Sequence, residues 1–257
     1  MIRVVRILMV ALFLVSPALA QETTEEMKKE IQALKQGQAD IKKQLAEIKT
    51  LLQARPAARP AVPAAPNVKD VEFDLGSNTF KGDPSAPLTL IEMTDYQCPF
   101  CARYAKQTYP QIQKEYVETG KVRYVLVDMP LESIHRLAFK AAEATHCAGE
   151  QDKYWEMHDR LFDNQRALEP WSGHAEALGL DGDAFTTCLD SGKYADDIRA
   201  DMKLAAKAGV RGTPGFLLAW TDPDDPTKVK GISSLRGAQP FTSFKVQIDK
   251  ALAEGGE

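Results

Sequence analysis

Cysteine and histidine are scarce in this 257-residue chain, four of each, and beyond the N-terminal twenty residues no apolar run is long enough to cross a membrane. Each shortage excludes something. His135, His146, His158 and His174 are scattered, and although His146 adjoins Cys147, no further ligand stands at a metal-binding spacing. The histidines are read as surface or helix-packing residues, and neither a metal nor a cofactor is expected. No cysteine lies near the end of the N-terminal segment to carry a lipid. Positive charge is not in excess either: 32 Lys and Arg against 36 Asp and Glu give a formal net charge of −4. That balance favours solubility and argues against nucleic acid as a partner.

Two of the four cysteines form the most informative stretch, Cys98-Pro99-Phe100-Cys101, where a short apolar strand (Leu88 to Met93) gives way to a helical run (Ala102 to Val117). A CxxC at a strand-to-helix junction suggests a redox dithiol. Unpaired N–H groups and the dipole at the helix start stabilise a thiolate on Cys98, which makes it the attacking sulfur. Cys101, one turn further in, is placed to resolve the mixed disulfide. Half of a zinc site, or a buried pair without chemistry, is the alternative at this point; CxxC supplies two of the four ligands zinc usually needs. Cys147 and Cys188 form no second CxxC.

The flanking segments indicate place and assembly. Arg3 and Arg6 precede an apolar run from Ile7 to Val15, then Ser16-Pro17 and Ala18-Leu19-Ala20. This reads as a secretory signal over residues 1–20, cleaved before Gln21, and a soluble periplasmic or secreted protein in an oxidising compartment is expected. Residues 21–53 follow as a stalk. Met27, Ile31, Leu34, Gln38, Ile41, Leu45, Ile48 and Leu52 step 4-3-4-3, a coiled-coil seam. With Ile31, Gln38, Leu45 and Leu52 at position a, Lys28, Lys35, Lys42 and Lys49 all fall at e. Antiparallel helices would bring those lysines together, whereas parallel ones let Glu30 meet Lys35 of a neighbour. A parallel homo-oligomer is expected, with a trimer favoured; a lone amphipathic helix packed on its own domain is the competing reading. Residues 54–67, with four prolines, read as an extended linker that could reach roughly 40 Å at about 3.1 Å per residue.

From residue 68 the chain reads as an α/β domain. Strands are expected at Val71 to Leu75, Leu88 to Met93, Val122 to Asp128, Phe216 to Trp220 and around Val229 to Leu235. A long helical region runs from about Ile134 to Ala208, broken at Gly149, Pro170-Trp171 and Gly182, and a last helix from Pro240 to Leu252. Strand–helix–strand, then helices, then two strands and a helix is the order of a thioredoxin fold with a helical insertion, here about residues 131–208.

Particular residues then carry a resemblance. Asp95 to Cys101, Gly120 to Tyr124, Cys147 to Gln151 leading to Trp155 through Asp159, and Gly209-Val210-Arg211-Gly212-Thr213-Pro214 closely resemble the DsbA-like thiol-disulfide oxidoreductases, especially their thioredoxin 4 branch. The resemblance runs from about Val68 to Leu252 and leaves out the stalk. It implies Cys98 as nucleophile, Cys101 as resolving thiol, Pro214 as a cis-proline beside the dithiol, and Thr213 as the residue whose backbone pairs with a bound client. Phe100 joins Thr213 and Pro214 as a candidate client contact. Glu92, six residues before Cys98, resembles a buried carboxylate that takes part in proton transfer with the inner cysteine; an exposed strand glutamate is its plainer reading.

One departure matters. The best-known DsbA pattern has Pro-His between the cysteines, and Phe100 offers the thiolate neither charge nor N–H donor, so a Cys98 pKa below a free thiol but above about 3.5 is expected. In an oxidising compartment Cys147 and Cys188, both in the insertion, are expected to form a structural disulfide, as in several relatives; a second redox pair would lack the helix-terminus CxxC. The implied function is an exported protein thiol-disulfide oxidoreductase, oxidase or isomerase, with cysteine-containing exported proteins as clients and a membrane redox partner. A non-enzymatic oligomeric holdase or adaptor is the alternative.

Overall fold

The computed structural model describes residues 17–54 and 67–255. These fall into two units, one up to residue 64 and one from residue 65. Most of the expected signal segment and nearly all of the expected linker therefore lie outside the described residues.

The first unit is one uninterrupted helix, α1 (Pro17–Ala54), whose first turns include the expected cleavage site before Gln21. With no proline or β-branched cluster between Met27 and Leu45, and with Ala, Leu, Lys, Gln and Glu dominating, the segment is built of strong helix formers. Its seam residues Met27, Ile31, Leu34, Ile41, Leu45 and Ile48 are all exposed.

In the second unit a six-stranded sheet is ordered β1-β6-β5-β3-β4-β2. The strands are β1 (Glu72–Asp74), β2 (Phe80–Lys81), β3 (Leu88–Thr94), β4 (Val122–Asp128), β5 (Gly215–Thr221) and β6 (Lys228–Arg236). β3 and β4 are parallel, joined by a helical crossover, and every other pairing is antiparallel. β3 and β4 are buried at every position, as central strands covered on both faces must be. Side chains alternate between faces along a strand. Leu88 and Leu90 pack with Tyr124, Phe216 and Leu218 toward Tyr104, Ile112, Phe244 and Ile248. Ile91 and Met93 pack with Val125, Val127 and Leu217 toward Ala205 and Ala208.

The helices are α2 (Pro99–Gln107), α3 (Tyr109–Ile112), α4 (Ala138–Gly149), α5 (Tyr154–Asp163), α6 (Trp171–Ala177), α7 (Gly182–Ser191), α8 (Ala195–Lys207) and α9 (Phe241–Glu254). The single helical run expected from Ala102 to Val117 is corrected: α2 stops at Gln107, α3 starts afresh, and a π-helical turn covers Gln113–Val117. Pro110 supplies the cause, since it lacks an N–H and its ring collides with the carbonyl four residues back. Helices α4 to α8 form the insertion, whose core includes Met157, Leu161, Phe162, Phe185 and Ile198. Tyr96, Cys98, Cys101 and Ala102 belong to that same core, so the CxxC lies at the seam between sheet and insertion. The insertion's first helix begins at Ala138 rather than near Ile134, after a run of turns. Cys147 of α4 and Cys188 of α7 are disulfide-bonded with Cα atoms 5.8 Å apart.

Candidate active site

β3 ends at Thr94, and the turn Asp95–Gln97 delivers the chain to Cys98, the N-cap of α2, with extended backbone (φ −72°, ψ 118°) and Pro99 opening the helix. Proline suits that position because the first helical N–H has no intrahelical partner in any case. Cys98 and Cys101 are free thiols. Cys98 is 4% exposed and Cys101 is 0% exposed, so only the first reaches solvent.

The loop before β5 closes the site. The Thr213–Pro214 peptide is cis, and the Cys98 thiol donates to the Thr213 carbonyl at 3.4 Å. A Cβ at Gly215 would collide with Val210, so a glycine after Pro214 lets the start of β5 pass close to the Val210 side chain. Behind, the Pro214 carbonyl accepts the Gly237 N–H at 2.8 Å. Phe100 is exposed, with the Arg103 guanidinium over its ring at 5.1 Å.

The two sulfurs differ sharply in acidity. A hydrogen bond from the Cys101 thiol lowers the Cys98 pKa, burial opposes it, and Thr213 with the N–H groups of Cys101 and Phe100 lowers it further, to about 5. This value falls between a free thiol and the extreme of about 3.5. Cys101 is pushed up, first by burial, then by the Cys98 hydrogen bond and the charge of Glu92. Glu92 lies on the α2 side of β3, 1% exposed, not on an open strand face. Burial raises its pKa to about 7, against a hydrogen bond donated by the Tyr124 hydroxyl. Cys98, Cys101, Glu92, Thr213, Pro214 and Phe100 are thus gathered around one helix start, while Cys147 and Cys188 lie in the insertion.

Several supporting residues escaped the reading of the sequence. The Asp95 carboxylate accepts the N–H groups of Gln97 and Cys98 through one oxygen, and the Leu131 N–H and His135 Nδ1 through the other. Gln165 donates to the carbonyls of Tyr96 and Cys98 at 2.8 and 2.9 Å, and the Gln97 side chain accepts the Leu137 N–H. Of the histidines read as surface or helix-packing residues, His158 and His174 are buried, and His146 bonds Asp128 at 2.8 Å. Only an aspartate three residues before Cys98, a residue type that bonds neighbouring N–H groups, could have signalled any of this in the sequence. Among the described residues no group of three or more His, Cys, Asp or Glu could hold a metal ion.

The thioredoxin family model Thioredoxin_4 matches residues 75–235. Among curated proteins, the chain is 34% identical over 166 residues to a Na(+)/H(+) antiporter NhaA 3 of Salinispora tropica, covering 64% of this chain and 25% of that protein. A second, NhaA 1 of Salinispora arenicola, is 36% identical over 150 residues, covering 58% and 22%. The chain spans about a quarter of the length of these relatives, and among the described residues no helix is long and apolar enough to cross a membrane. Among solved structures, alpha-DsbA1 of Wolbachia pipientis superposes with a TM-score of 0.61 at 26% identity, over 71% of this chain and 94% of that one. DsbA2 of Pseudomonas aeruginosa gives 0.55 at 25% identity, over 70% and 97%. BdbD of Bacillus subtilis shares the fold, with a TM-score of 0.58 at 21% identity over 72% and 99%. The match of residues 75–235, falling on the sheet, the insertion and the Cys98–Cys101 turn together, places the chain in the Thioredoxin_4 thioredoxin family, with a fold similar to that of DsbA proteins.

Proposed function

We propose that this protein is exported and exchanges disulfides with exported proteins through Cys98 and Cys101. The observation that carries the reading is the split in acidity at one helix start: Cys98 lowered to about 5, Cys101 raised. A stabilised Cys98 thiolate stabilises the reduced protein, which makes the oxidised form a good disulfide donor. A client thiolate attacks Cys98 Sγ, a new S–S bond forms, the Cys98–Cys101 bond breaks and Cys101 leaves as thiolate, taking up a proton. Glu92, buried beside it and ionising near neutrality, suits the proton transfer. A second client thiolate then attacks its own sulfur in the mixed disulfide, and Cys98 leaves as the stable thiolate. The client is oxidised by two electrons and the protein reduced by two; a membrane redox partner restores the disulfide. The Thr213 carbonyl, already facing Cys98 Sγ, and the exposed Phe100 are placed to meet the client's backbone and side chains.

The seam of α1 favours a second element of function. Six exposed apolar side chains in heptad spacing form the kind of seam that helices bury against copies of themselves. Parallel assembly, most simply a trimer, would put several dithiols around one client and favour disulfide isomerisation alongside donation.

One experiment addresses both elements. Cys98→Ser should abolish exchange, whereas Cys101→Ser should accumulate client mixed disulfides through Cys98. Deleting residues 21–67 should convert an oligomer to a monomer in light scattering, retaining exchange with a simple disulfide but losing the shuffling of a scrambled multi-disulfide substrate. Clients trapped chiefly on Cys101, or a protein whose activity on exported clients is holding them unaggregated and is unchanged when both thiols are replaced, as for a holdase, refutes the first element; a monomeric full-length protein refutes the second.

A further inference from the structure

Asp95 is buried to 1% exposure three residues before Cys98, at a site already short of room for charge. A carboxylate has about four lone-pair positions, and here all four are taken. Oδ1 accepts the Gln97 N–H at 2.7 Å and the Cys98 N–H at 3.1 Å. Oδ2 accepts the Leu131 N–H at 2.7 Å and faces His135 Nδ1 at 2.8 Å. Two of these donors belong to the CxxC turn and two to the start of the insertion. One buried carboxylate thus clamps the nucleophile's own backbone to the element beside it.

The consequence for Cys98 is directional. Its sulfur is stabilised first by the Cys101 thiol, then by Thr213 and the N–H groups of Cys101 and Phe100 at the start of α2, and hydrogen bonds weaken steeply when misaligned. Alignment depends on the Cys98 backbone being extended rather than helical, and Asp95 holds the Cys98 N–H in that conformation through its carboxylate at 3.1 Å together with its own carbonyl at 3.0 Å. His135 is 18% exposed in its side chain, reaching the surface on one side and Asp95 on the other. It fixes the carboxylate's second oxygen from a segment about forty residues away.

We propose that Asp95, oriented by His135, is the positioning residue that aims the Cys98 sulfur at the donors of the α2 N-terminus. The inference rests on Cys98 being the nucleophile. It opposes a simpler electrostatic expectation. A bare carboxylate near a thiolate would destabilise it, and removing the carboxylate would then lower the Cys98 pKa. With four donors on the carboxylate, loss of aim outweighs loss of charge, and removal should raise it.

The test uses full-length protein, following thiolate absorbance against pH and the rate of reaction with a small aromatic disulfide. Asp95→Ala should raise the Cys98 pKa by about one unit. Exchange near pH 5 should then fall about two- to five-fold, the smaller thiolate fraction outweighing the better nucleophile, while at pH 8 it should be unchanged or up to about three-fold faster, because a more basic thiolate is a better nucleophile. His135→Ala should shift the titration the same way by less, and Asp95→Asn, which keeps one acceptor, should recover part of the loss. Asp201→Asn, a change at a comparably buried carboxylate that bonds Asn78 and the Asp128 N–H away from the dithiol, controls for general loosening and should leave the Cys98 titration in place. If Asp95→Ala does not fold, His135→Ala and Asp95→Asn decide. A Cys98 titration that stays put or moves down in the folded variants, or that moves as far in Asp201→Asn, overturns the proposal. A low titration that survives Cys98→Ser removes the nucleophile reading, and the inference with it.

Discussion

The two cysteine pairs of this chain answer the same chemical question in opposite ways. Cys98 and Cys101 stand three residues apart across a helix start, free, with unequal acidity. Cys147 and Cys188 stand 41 residues apart on two helices of the insertion, bonded and buried among Met157, Phe185 and Leu189. Each pair also has a carboxylate neighbour, and these differ as much. Glu92 is sealed in with its pKa raised by burial. Glu150 lies 3.4 Å from Cys188 Sγ at the surface, its pKa lowered by hydrogen bonds from Lys193 and Tyr194. A disulfide is exchangeable when one sulfur has somewhere stable to put its charge; it is a brace when neither does and the loop it closes is long.

The largest effect that could break this comparison is on stability. In the chain-entropy model a cross-link closing the 41-residue loop restricts the unfolded chain by about 4 kcal/mol. Replacing Cys147 and Cys188 together by serine should lower unfolding stability in urea by about that amount. Exchange through Cys98 should proceed at the parent's rate wherever the variant is folded. A variant that keeps its stability but loses exchange would show that the second pair also carries redox chemistry.

A smaller effect separates the two carboxylates. Glu92 ionises near 4.5 in the unfolded chain and at about 7 in the fold. Between those values the folded protein holds a proton that the unfolded chain has released, so this group's contribution declines as pH rises from about 4.5 to about 7 and stays low above. Glu92→Gln removes the penalty. It should stabilise the protein at pH 8 by about 3 kcal/mol while changing little at pH 4. The same change should lower the Cys101 pKa, because the Glu92 charge raises it. Glu150→Gln should produce no comparable pH-dependent gain. Unfolding curves at the two pH values check this, and equal behaviour of the two variants would erase the distinction drawn between the pairs.

The comparison also marks where the sequence was legible. A CxxC with proline after its first cysteine, at the end of an apolar strand, announces a helix start and its chemistry within ten residues, and β3, β4 and β5 were readable because buried strands are apolar runs, whereas β6 is only partly buried. Local grammar failed where the cause was local but overlooked, as at Pro110, or where an element was too short to have a period, as in the two-residue β2. It could not reach contacts made by the fold. Asp95 meets His135 across forty residues, and Gln165 reaches the Cys98 carbonyl across 67; neither histidine nor glutamine carries any pattern at those positions. The burial of Glu92 was half legible, since a glutamate in an all-apolar strand must either face water or be functional, and only packing against α2 decides. The apolar stripe of α9 and the seam of α1 read alike, yet Phe244, Ile248 and Ala251 are covered while the α1 residues are exposed. Periodicity states that a helix needs a partner and leaves the partner unnamed.

The smallest effect lies between the active cysteines. Phe100 is 53% exposed and stacks with Arg103, so it adds neither a donor nor a charge to the Cys98 thiolate, which rests on Cys101, Thr213 and backbone N–H groups. Phe100→His would add a group that can carry a proton next to that thiolate and stabilise the reduced protein further. The potential should rise by a few tens of millivolts at most, about 30 mV corresponding to a tenfold change in equilibrium. Equilibration with a glutathione buffer, read by thiol-specific mass tagging, measures the shift. Because Phe100 is exposed, stability should change by less than about 0.5 kcal/mol, so the variant isolates charge stabilisation from packing. A lower potential would mean that the aromatic ring already shelters the thiolate, and that the distinction between the two cysteine pairs owes more to exclusion of water than to donors at a helix start.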